Sequence, residues 1–523
     1  MAKNFELTLL LYWLPQALTQ IFLWLFWWQA KEYRFDRFKL LFETKTGRAN
    51  LGLAAIIVKL VLITFYLKNI YALKIIFVLA TLYYVVRIVR FGFVRPVAQT
   101  VRMLLIYTIS VLLLAVTYFW SANYLLLELG LVVYPLVGVL ATALLTYFVK
   151  QKRKKLASNA IAKFNIKVIG VTGSYGKTTT KDFISEVLST KYKTEKTDKF
   201  ANTPLLVYER VAKKARLGAT HMVVEMGAYK KGEIKEFADA LKPTIGVITA
   251  VEEQHMYLFG SLGQVKKAKF ELIQGIQKGG TAILNLTNKN VRHLYVWAKK
   301  QRPDLKLVGY FVGNTKPPKG TTYSATVVAS EKALVFNLKS PQFSKTYATN
   351  LPADFLIQNM LAAIAVAREC DVDWQRISKG IVNLQAERQI FDVHNYPNNY
   401  FVIDDSKNSP PTSFFVALEN LAKYKVAKYV VATGTIELGK ASRKIHTSIA
   451  KRIAQIGTKE VFLTNPEFTE YFSAGLKGST TKLTVIKDRF DLTKLKKLPK
   501  QNCVVLLEGR MNNSIRKIFL QKI

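Results

Sequence analysis

Long apolar runs crowd the first 150 positions, and beyond them short apolar runs alternate with stretches of helical periodicity. The runs 9–28, 51–67, 72–89, 103–120 and 125–149 each approach the roughly 20 residues that cross a bilayer's hydrocarbon core, so five membrane spans are predicted. Lys59 and Lys74 interrupt the second and third, which leaves a four-span arrangement with a re-entrant or interfacial segment as the alternative. The first run holds Pro15 and ends in Trp27-Trp28. It has no basic start and no small-residue cleavage site, so it reads as a span and not as a leader. Glu128, inside the last run, is expected near the outer membrane surface, and Lys59 is expected to snorkel.

Charge gives these spans a direction. Lys31, Arg34, Arg37, Lys39, Lys45 and Arg48 separate the first two runs, and Arg87, Arg90, Arg95 and Arg102 border the gap between the third and fourth. Lys150, Lys152, Arg153, Lys154 and Lys155 follow the fifth, while the gaps at 68–71 and 121–124 are short and nearly uncharged. The positive-inside rule then places everything after 150 in the cytoplasm, below a multi-pass inner-membrane domain spanning 1–155. The remainder still carries 61 basic against 30 acidic residues. Without aromatic interleaving or a recognisable nucleic-acid module, that charge suits an anionic bilayer leaflet and polyanionic substrates, and no nucleic acid is expected as a partner. Cys370 and Cys503 are too few for a disulfide scaffold, and five scattered histidines exclude a Cys/His zinc module.

The alternating pattern after 160 predicts an α/β fold with a largely parallel sheet. Its first apolar strand, 167–172, runs into Gly173-Ser-Tyr-Gly176-Lys177-Thr178-Thr179-Thr180 and then a helical pattern. Strand, glycine turn, Lys-Thr and helix make a phosphate loop: backbone N–H groups cradle anionic phosphates, the lysine reaches the outer ones, and the threonine hydroxyl can bind Mg²⁺. Val171 stands where the strict motif has its first glycine. Glu225 closes the next strand and is placed either to bind Mg²⁺ or to cap a helix; His255 follows a further strand and, alone, reads as a structural hydrogen-bonder. Lys269 lies in a lysine-rich helical stretch that on its own predicts a solvated face.

Taken together, these residues resemble the central ATPase domain of the Mur ligases, the peptidoglycan-precursor amide synthetases, and within that family the D-alanyl-D-alanine-adding branch. The likeness rests on Val171–Lys181, Glu225-Met-Gly-Ala with Gly232-Glu-Ile, the 242–249 stretch, His255 with Phe259-Gly-Ser-Leu, Ala268-Lys269, and Asn359-Met-Leu-Ala-Ala. It continues through Arg388, Ile403-Asp404-Asp405-Ser406-Lys407-Asn408, Gly434-Thr-Ile-Glu-Leu-Gly, His446 and Leu507-Glu-Gly-Arg510. The resemblance implies a central P-loop ATPase-like domain at 160–384 and a C-terminal Rossmann-like domain at 385–523. It also implies a reaction: a muramyl-peptide carboxylate, UDP- or lipid-linked, is activated by ATP as an acyl phosphate and joined to D-alanyl-D-alanine or a similar amine. Lys177 would contact the β- and γ-phosphates beside Gly173, Gly176 and Thr179. Thr178, Glu225 and His255 would hold Mg²⁺, and Lys269 would carry CO₂ as a carbamate. Asn285, Arg388, Asp405 and Lys407 would hold the nucleotide.

Several positions depart from the family pattern. Asn202-Thr-Pro204 shortens an asparagine-rich segment, Thr287-Asn288 replaces an acidic pair, Phe355 replaces a histidine, Pro410 an asparagine and Glu508 a lysine. At the front, membrane spans stand where the family has a UDP-binding domain, so an acceptor presented at the bilayer, or docking beside membrane cell-wall enzymes, is expected. Rival readings are a polyglutamate synthase, an amidating ligase for a lipid-linked muropeptide, a non-catalytic membrane scaffold and an ATP-driven transporter.

Overall fold

The computed structural model describes residues 13–43, 48, 75, 78–80, 82–83, 86, 100–121, 124–198, 204–253, 256–329, 334–351, 353–384, 392–406, 411–435, 438–486 and 491–520. The chain divides into two compact units, 1–149 and 150–523. The predicted span at 51–67 falls wholly, and that at 72–89 for the most part, outside the described residues.

In the first unit the long described helices are α1 (Leu14–Ala30), α2 (Val101–Ser121) and α3 (Tyr124–Lys163), the last crossing the boundary between the units, and two single-turn helices lie at Phe35–Phe38 and Leu40–Glu43. Among the described residues, two helices, α2 and α3, are long and apolar enough to cross a membrane. α2 and α3 approach closely at Gly138, where an added Cβ would sit 2.7 Å from Ile106 Cγ2; a small residue at such a point is how apolar helices pack in lipid. Their other faces expose Leu112, Val116, Phe119, Trp120, Leu144 and Phe148. Glu128 is buried and accepts a hydrogen bond from the Trp13 indole N–H, the kind of donor a carboxylate in an apolar helix needs.

The expected boundary at 155 falls inside α3, which runs unbroken to Lys163. Lysine, arginine and alanine are strong helix formers, and Ala157, Ala160 and Ile161 recur at helical spacing to join the core of the second unit. Lys150 pairs with Glu236 at 2.7 Å and Arg153 with Glu209 at 2.5 Å, so part of the basic stretch is ion-paired within the second unit.

The second unit contains two sheets. The nine-stranded sheet runs β2-β3-β1-β4-β5-β6-β7-β8-β9. Its strands are β1 (Lys167–Thr172), β2 (Thr194–Lys196), β3 (His221–Glu225), β4 (Ile245–Ile248), β5 (Thr281–Asn285), β6 (Lys306–Val312), β7 (Thr321–Ala329), β8 (Leu334–Ser340) and β9 (Phe343–Thr349). The pairing is parallel through β7, and β7-β8-β9 close one edge as antiparallel hairpins. Alternation along β1 sends Val168 to one core, and Ile169 and Val171 to the other. That two-sided burial is why these strands read as continuous apolar runs. The helices α4 (Lys177–Ser189), α5 (Pro204–Ala215), α6 (Glu233–Leu241), α7 (Leu262–Gln274), α8 (Lys289–Gln301), α9 (Leu356–Glu369) and α10 (Trp374–Val382) cover its faces.

The six-stranded sheet runs β10-β11-β15-β12-β13-β14. Its strands are β10 (Asp392–Tyr396), β11 (Tyr400–Asp405), β12 (Ala427–Ala432), β13 (Thr458–Leu463), β14 (Lys482–Val485) and β15 (Cys503–Glu508), all parallel except β10. The helices α11 (Pro411–Ala422), α12 (Ser442–Gln455), α13 (Thr469–Leu476) and α14 (Asn513–Leu520) flank it. The expected central and C-terminal domains correspond to these two sheets. In both, the carboxyl ends of parallel strands carry the residues the sequence singled out, which is where open α/β sheets bind ligands.

Candidate active site

The turn between β1 and α4 is shaped by two glycines. A Cβ on Gly173 would collide with Thr249 Oγ1, and Gly176 adopts φ +76° with an added Cβ only 2.8 Å from Asn359 Oδ1. Gly176 caps α4 without a side chain, and the first turn of α4 holds no acid, so its backbone N–H groups are left for an anion. The loop is stapled to the end of β4. Ser174 N donates to Ala250 O at 2.8 Å, Glu252 N donates to Ser174 Oγ at 2.9 Å, and Thr249 Oγ1 donates to Tyr175 O at 2.5 Å. Thr180, one turn into α4, donates to Asn359 Oδ1 at 3.1 Å, tying the loop's helix to α9. Thr179 is buried in the first turn.

Lys177 is half-buried, and its ammonium donates to Ser174 O at 3.3 Å. Desolvation holds its pKa below the ordinary lysine value, with Glu225 pulling back. Thr178 Oγ1 donates to Glu225 Oε2 at 2.9 Å, and the buried Lys181 ammonium lies 3.7 Å from the same oxygen. A hydroxyl and a carboxylate side by side are hard oxygen donors of the kind Mg²⁺ takes, so this pair fits a magnesium site.

Lys269 is 3 % exposed. Burial, with the repulsion of Lys177 added, brings its pKa down to about 7, against the attraction of Glu233, Glu271 and Glu225. The solvated face expected for its helical stretch is therefore wrong for this residue. Val265, Ala268 and Leu272 are buried around it, and spacing of three and four residues puts Lys269 on their face. Glu271, two residues beyond Lys269, is buried and accepts from Gly232 N at 2.7 Å and Lys235 N at 3.0 Å, capping α6 from a neighbouring helix. Truncating Glu271→Ala orphans two backbone donors and should lower stability by about 1–2 kcal/mol, with Glu271→Gln recovering part of it, measured by chemical denaturation.

Asn285 is buried with its amide fully engaged. Nδ2 donates to Thr249 O and to Gln358 Oε1, both at 2.8 Å, and Oδ1 accepts from Thr287 N at 3.0 Å. In this state Asn285 ties β4, β5 and α9 together beneath the phosphate loop. Next to it Asn288, one of the departures from the family pattern, donates to Glu252 Oε1 at 2.7 Å, and burial raises the pKa of Glu252.

At the carboxyl edge of the second sheet, Asp405 is buried and accepts from Ser413 Oγ at 2.7 Å. His446 is buried against Phe468 and accepts from Thr435 N at 2.9 Å, and burial lowers its pKa to about 4, so the ring is neutral. His255, Arg388 and Lys407 lie outside the described residues.

The structure thus brings Gly173, Gly176, Lys177, Thr178, Thr179, Glu225 and Lys269 to one end of the first sheet. Asn285 lies beneath them, and Asp405 at the matching end of the second. Lys181, Glu233, Glu271, Glu252 and Glu508 belong to these surroundings without having been singled out as site residues. For Lys181 the signal was present, since Ile184 and Leu188 follow it at helical spacing; Glu271 has only Ala268 as an apolar neighbour at that spacing and gave none.

A family profile described as the Mur ligase middle domain matches residues 171–367. The UDP-N-acetylmuramoyl-tripeptide--D-alanyl-D-alanine ligase of Synechocystis sp. is 28% identical over 323 residues, 61% of this chain and 66% of that protein. The Bacillus subtilis protein of the same name is 28% identical over 317 residues, 59% of this chain and 65% of its own length. The chain thus spans just under two thirds of each of these curated relatives. Among solved structures, MurF from Acinetobacter baumannii superposes with a TM-score of 0.63 at 23% identity, covering 71% of this chain and 81% of that one. MurF ligase from Thermotoga maritima in complex with ADP gives 0.59 at 21%, covering 70% and 81%. These two superpositions establish a shared fold.

Proposed function

We propose that this chain, whose residues 171–367 match the Mur ligase middle domain, is an ATP-dependent acid–amine ligase of cell-wall precursor synthesis. The reaction is the addition of D-alanyl-D-alanine to a UDP-muramyl-tripeptide, the activity named for the relatives in Synechocystis and Bacillus subtilis. The observation that carries it is the grouping of Lys177, Thr178, Glu225 and the near-neutral Lys269 around an uncapped helix N-terminus.

In this reading the first-turn N–H groups of α4 and the Lys177 ammonium bind the outer phosphates of ATP, and the charge they supply counts most where negative charge builds up. The acceptor carboxylate attacks the γ-phosphorus, ADP leaves, and the amine then displaces phosphate from the acyl carbon to form the amide. Thr178 and Glu225, with His255 contributing by resemblance, hold Mg²⁺, which when bound neutralises phosphate charge. Lys269, with an amine about half neutral near pH 7, is suited to take up CO₂: the neutral nitrogen bonds the carbon and loses one proton, so the amine becomes an anionic carbamate, the ammonium form having first given up a proton of its own. By resemblance Arg388 and Lys407 would hold the nucleotide, with the edge of the second sheet at Asp405 covering it. Because the Asp405 carboxylate is turned to Ser413, its part is to shape that edge.

The exposed apolar faces of α2 and α3 support a bilayer-embedded first unit, multi-pass in the inner membrane with the ligase unit cytoplasmic. Its presence at the front raises a lipid-linked acceptor, or membrane cell-wall enzymes as partners, as the alternative to a UDP-linked soluble one. Full-length protein offered both acceptors with ATP, Mg²⁺ and D-alanyl-D-alanine separates them: the UDP-linked form should gain one dipeptide. Exclusive use of the lipid-linked form would move the acceptor site to the membrane.

A further inference from the structure

Two carboxyl groups face each other in the interior of the second sheet, and among the described residues no cation lies between them. Asp405 ends β11 and Glu508 ends β15, and the two are register partners in the parallel ladder. Asp405 is 2 % exposed and Glu508 fully buried. Ser413 Oγ satisfies one oxygen of Asp405 at 2.7 Å, whereas neither oxygen of Glu508 meets a donor among the described residues. The guanidinium that could have served is committed elsewhere: Arg516 on α14 binds Asp404 at 2.6 Å, and Ser406 N donates to the other Asp404 oxygen at 3.1 Å. Among the described residues the remaining titratable neighbours do not supply charge of the right sign. His446 on α12 is held neutral with Thr435 N, Asp392 on β10 stands opposite Asp404 and pairs with His394, and Arg510 is exposed. Among the described residues no set of three His, Cys, Asp or Glu side chains is grouped to hold a metal. Two buried like charges in contact are costly, and a proton is the smallest thing that removes one of them.

We propose that Asp405 and Glu508 hold one proton between them, and that Glu508 is a positioning residue which keeps together the strand ends from which the nucleotide-covering loops depart. This rests on the ligase reading of the nucleotide site. With the proton in place the acid of one residue donates to the carboxylate of the other and both are satisfied. Burial and mutual repulsion raise both groups, Asp405 to about 7. The backbones of the same two residues launch the loops. Gly509 N donates to Asp405 O at 3.3 Å, Thr433 N to Glu508 O at 3.0 Å, and Met511 N to Ser406 O at 3.1 Å. Loss of the proton leaves two carboxylates repelling across adjacent strands and spreads the edge that covers the nucleotide.

The sign follows from linkage. Both groups bind a proton more tightly folded than unfolded, so the stabilisation is complete below the ordinary carboxylate range and is lost as pH rises through about 7. The test uses the full-length protein with ADP as probe, in parallel with infrared detection of a protonated carboxyl. Wild type should show the carboxylic-acid carbonyl band near about pH 6 and lose it on alkalinisation, with ADP affinity falling up to about tenfold per pH unit above 7. Glu508→Gln, whose amide donates to Asp405 without titrating, should lack the band and bind ADP with no such dependence. Absence of the band in folded wild type overturns the shared proton, and this holds even if the variant fails to fold. Identical pH dependence of ADP binding in the two proteins overturns the positioning role. A band present in protein that binds no ADP at any pH leaves the pair standing and removes the ligase reading instead.

Discussion

Lys177→Ala is expected to reduce ATP turnover by about a thousandfold, or about 4 kcal/mol of transition-state stabilisation, the scale of losing one preorganised charge on a transferring phosphoryl group. Among the described residues no carboxylate ion-pairs with Lys177; its Nζ meets only the Ser174 carbonyl at 3.3 Å, which leaves the charge free for phosphate. Burial disfavours that charge in the free protein, so removing it should not lower stability. Steady-state turnover and ADP affinity read together check this: turnover collapses, ADP binding weakens, and the unfolding midpoint holds. An unchanged turnover would remove the phosphate-loop assignment.

The second large effect is expected at Lys269. Lys269→Ala should lower ligation by roughly a hundredfold or more, the range of a lost general electrostatic or acid–base contribution. Wild-type activity should fall in CO₂-depleted buffer and return with bicarbonate. Its amine is half-neutral at about 7, so carbamate formation weakens as pH drops through that value and activity falls with it. Without CO₂ the linkage runs the other way from the carboxyl pair. The folded pKa lies below the unfolded one, so stability rises with pH from about 7 towards the ordinary lysine value near about 10.4. Isotopically labelled bicarbonate should give a carbamate resonance in wild type that Lys269→Ala lacks. Short carboxylates should restore part of the variant's activity by occupying the vacated space. A wild type indifferent to CO₂ would leave Lys269 as a buried structural amine.

What the sequence made legible was local. Strand, glycine turn and Lys177-Thr178 announced the phosphate loop because each part of it is a neighbour of the next, and Glu225 could be placed because it closes an apolar strand. Lys269 was misjudged when its lysine neighbours were weighed over the three-and-four spacing of Val265, Ala268 and Leu272, the signal that separates its buried face from that of Lys267. The continuity of the helix past 155 was missed for a similar reason. A basic run after an apolar one reads as a loop, yet Ala157, Ala160 and Ile161 carry α3 on into the second unit's core. The Asp405–Glu508 contact had no local trace, since it exists only through the pairing of β11 with β15, strands far apart in the chain. The inward turn of Asn285 was equally hidden, because its partners Thr249 and Gln358 come from other elements.

The central claim is that this chain activates a carboxylate by phosphoryl transfer and then makes an amide. Acceptor labelled with heavy oxygen in its reacting carboxylate tests it directly, in full-length protein with ATP, Mg²⁺, bicarbonate and D-alanyl-D-alanine. The carboxylate oxygen that attacks the γ-phosphorus departs with phosphate, so the released phosphate should carry one labelled oxygen for each dipeptide gained by the acceptor and each ADP formed. Ligation with unlabelled phosphate, or ATP hydrolysis with no gain in acceptor mass, would contradict the account.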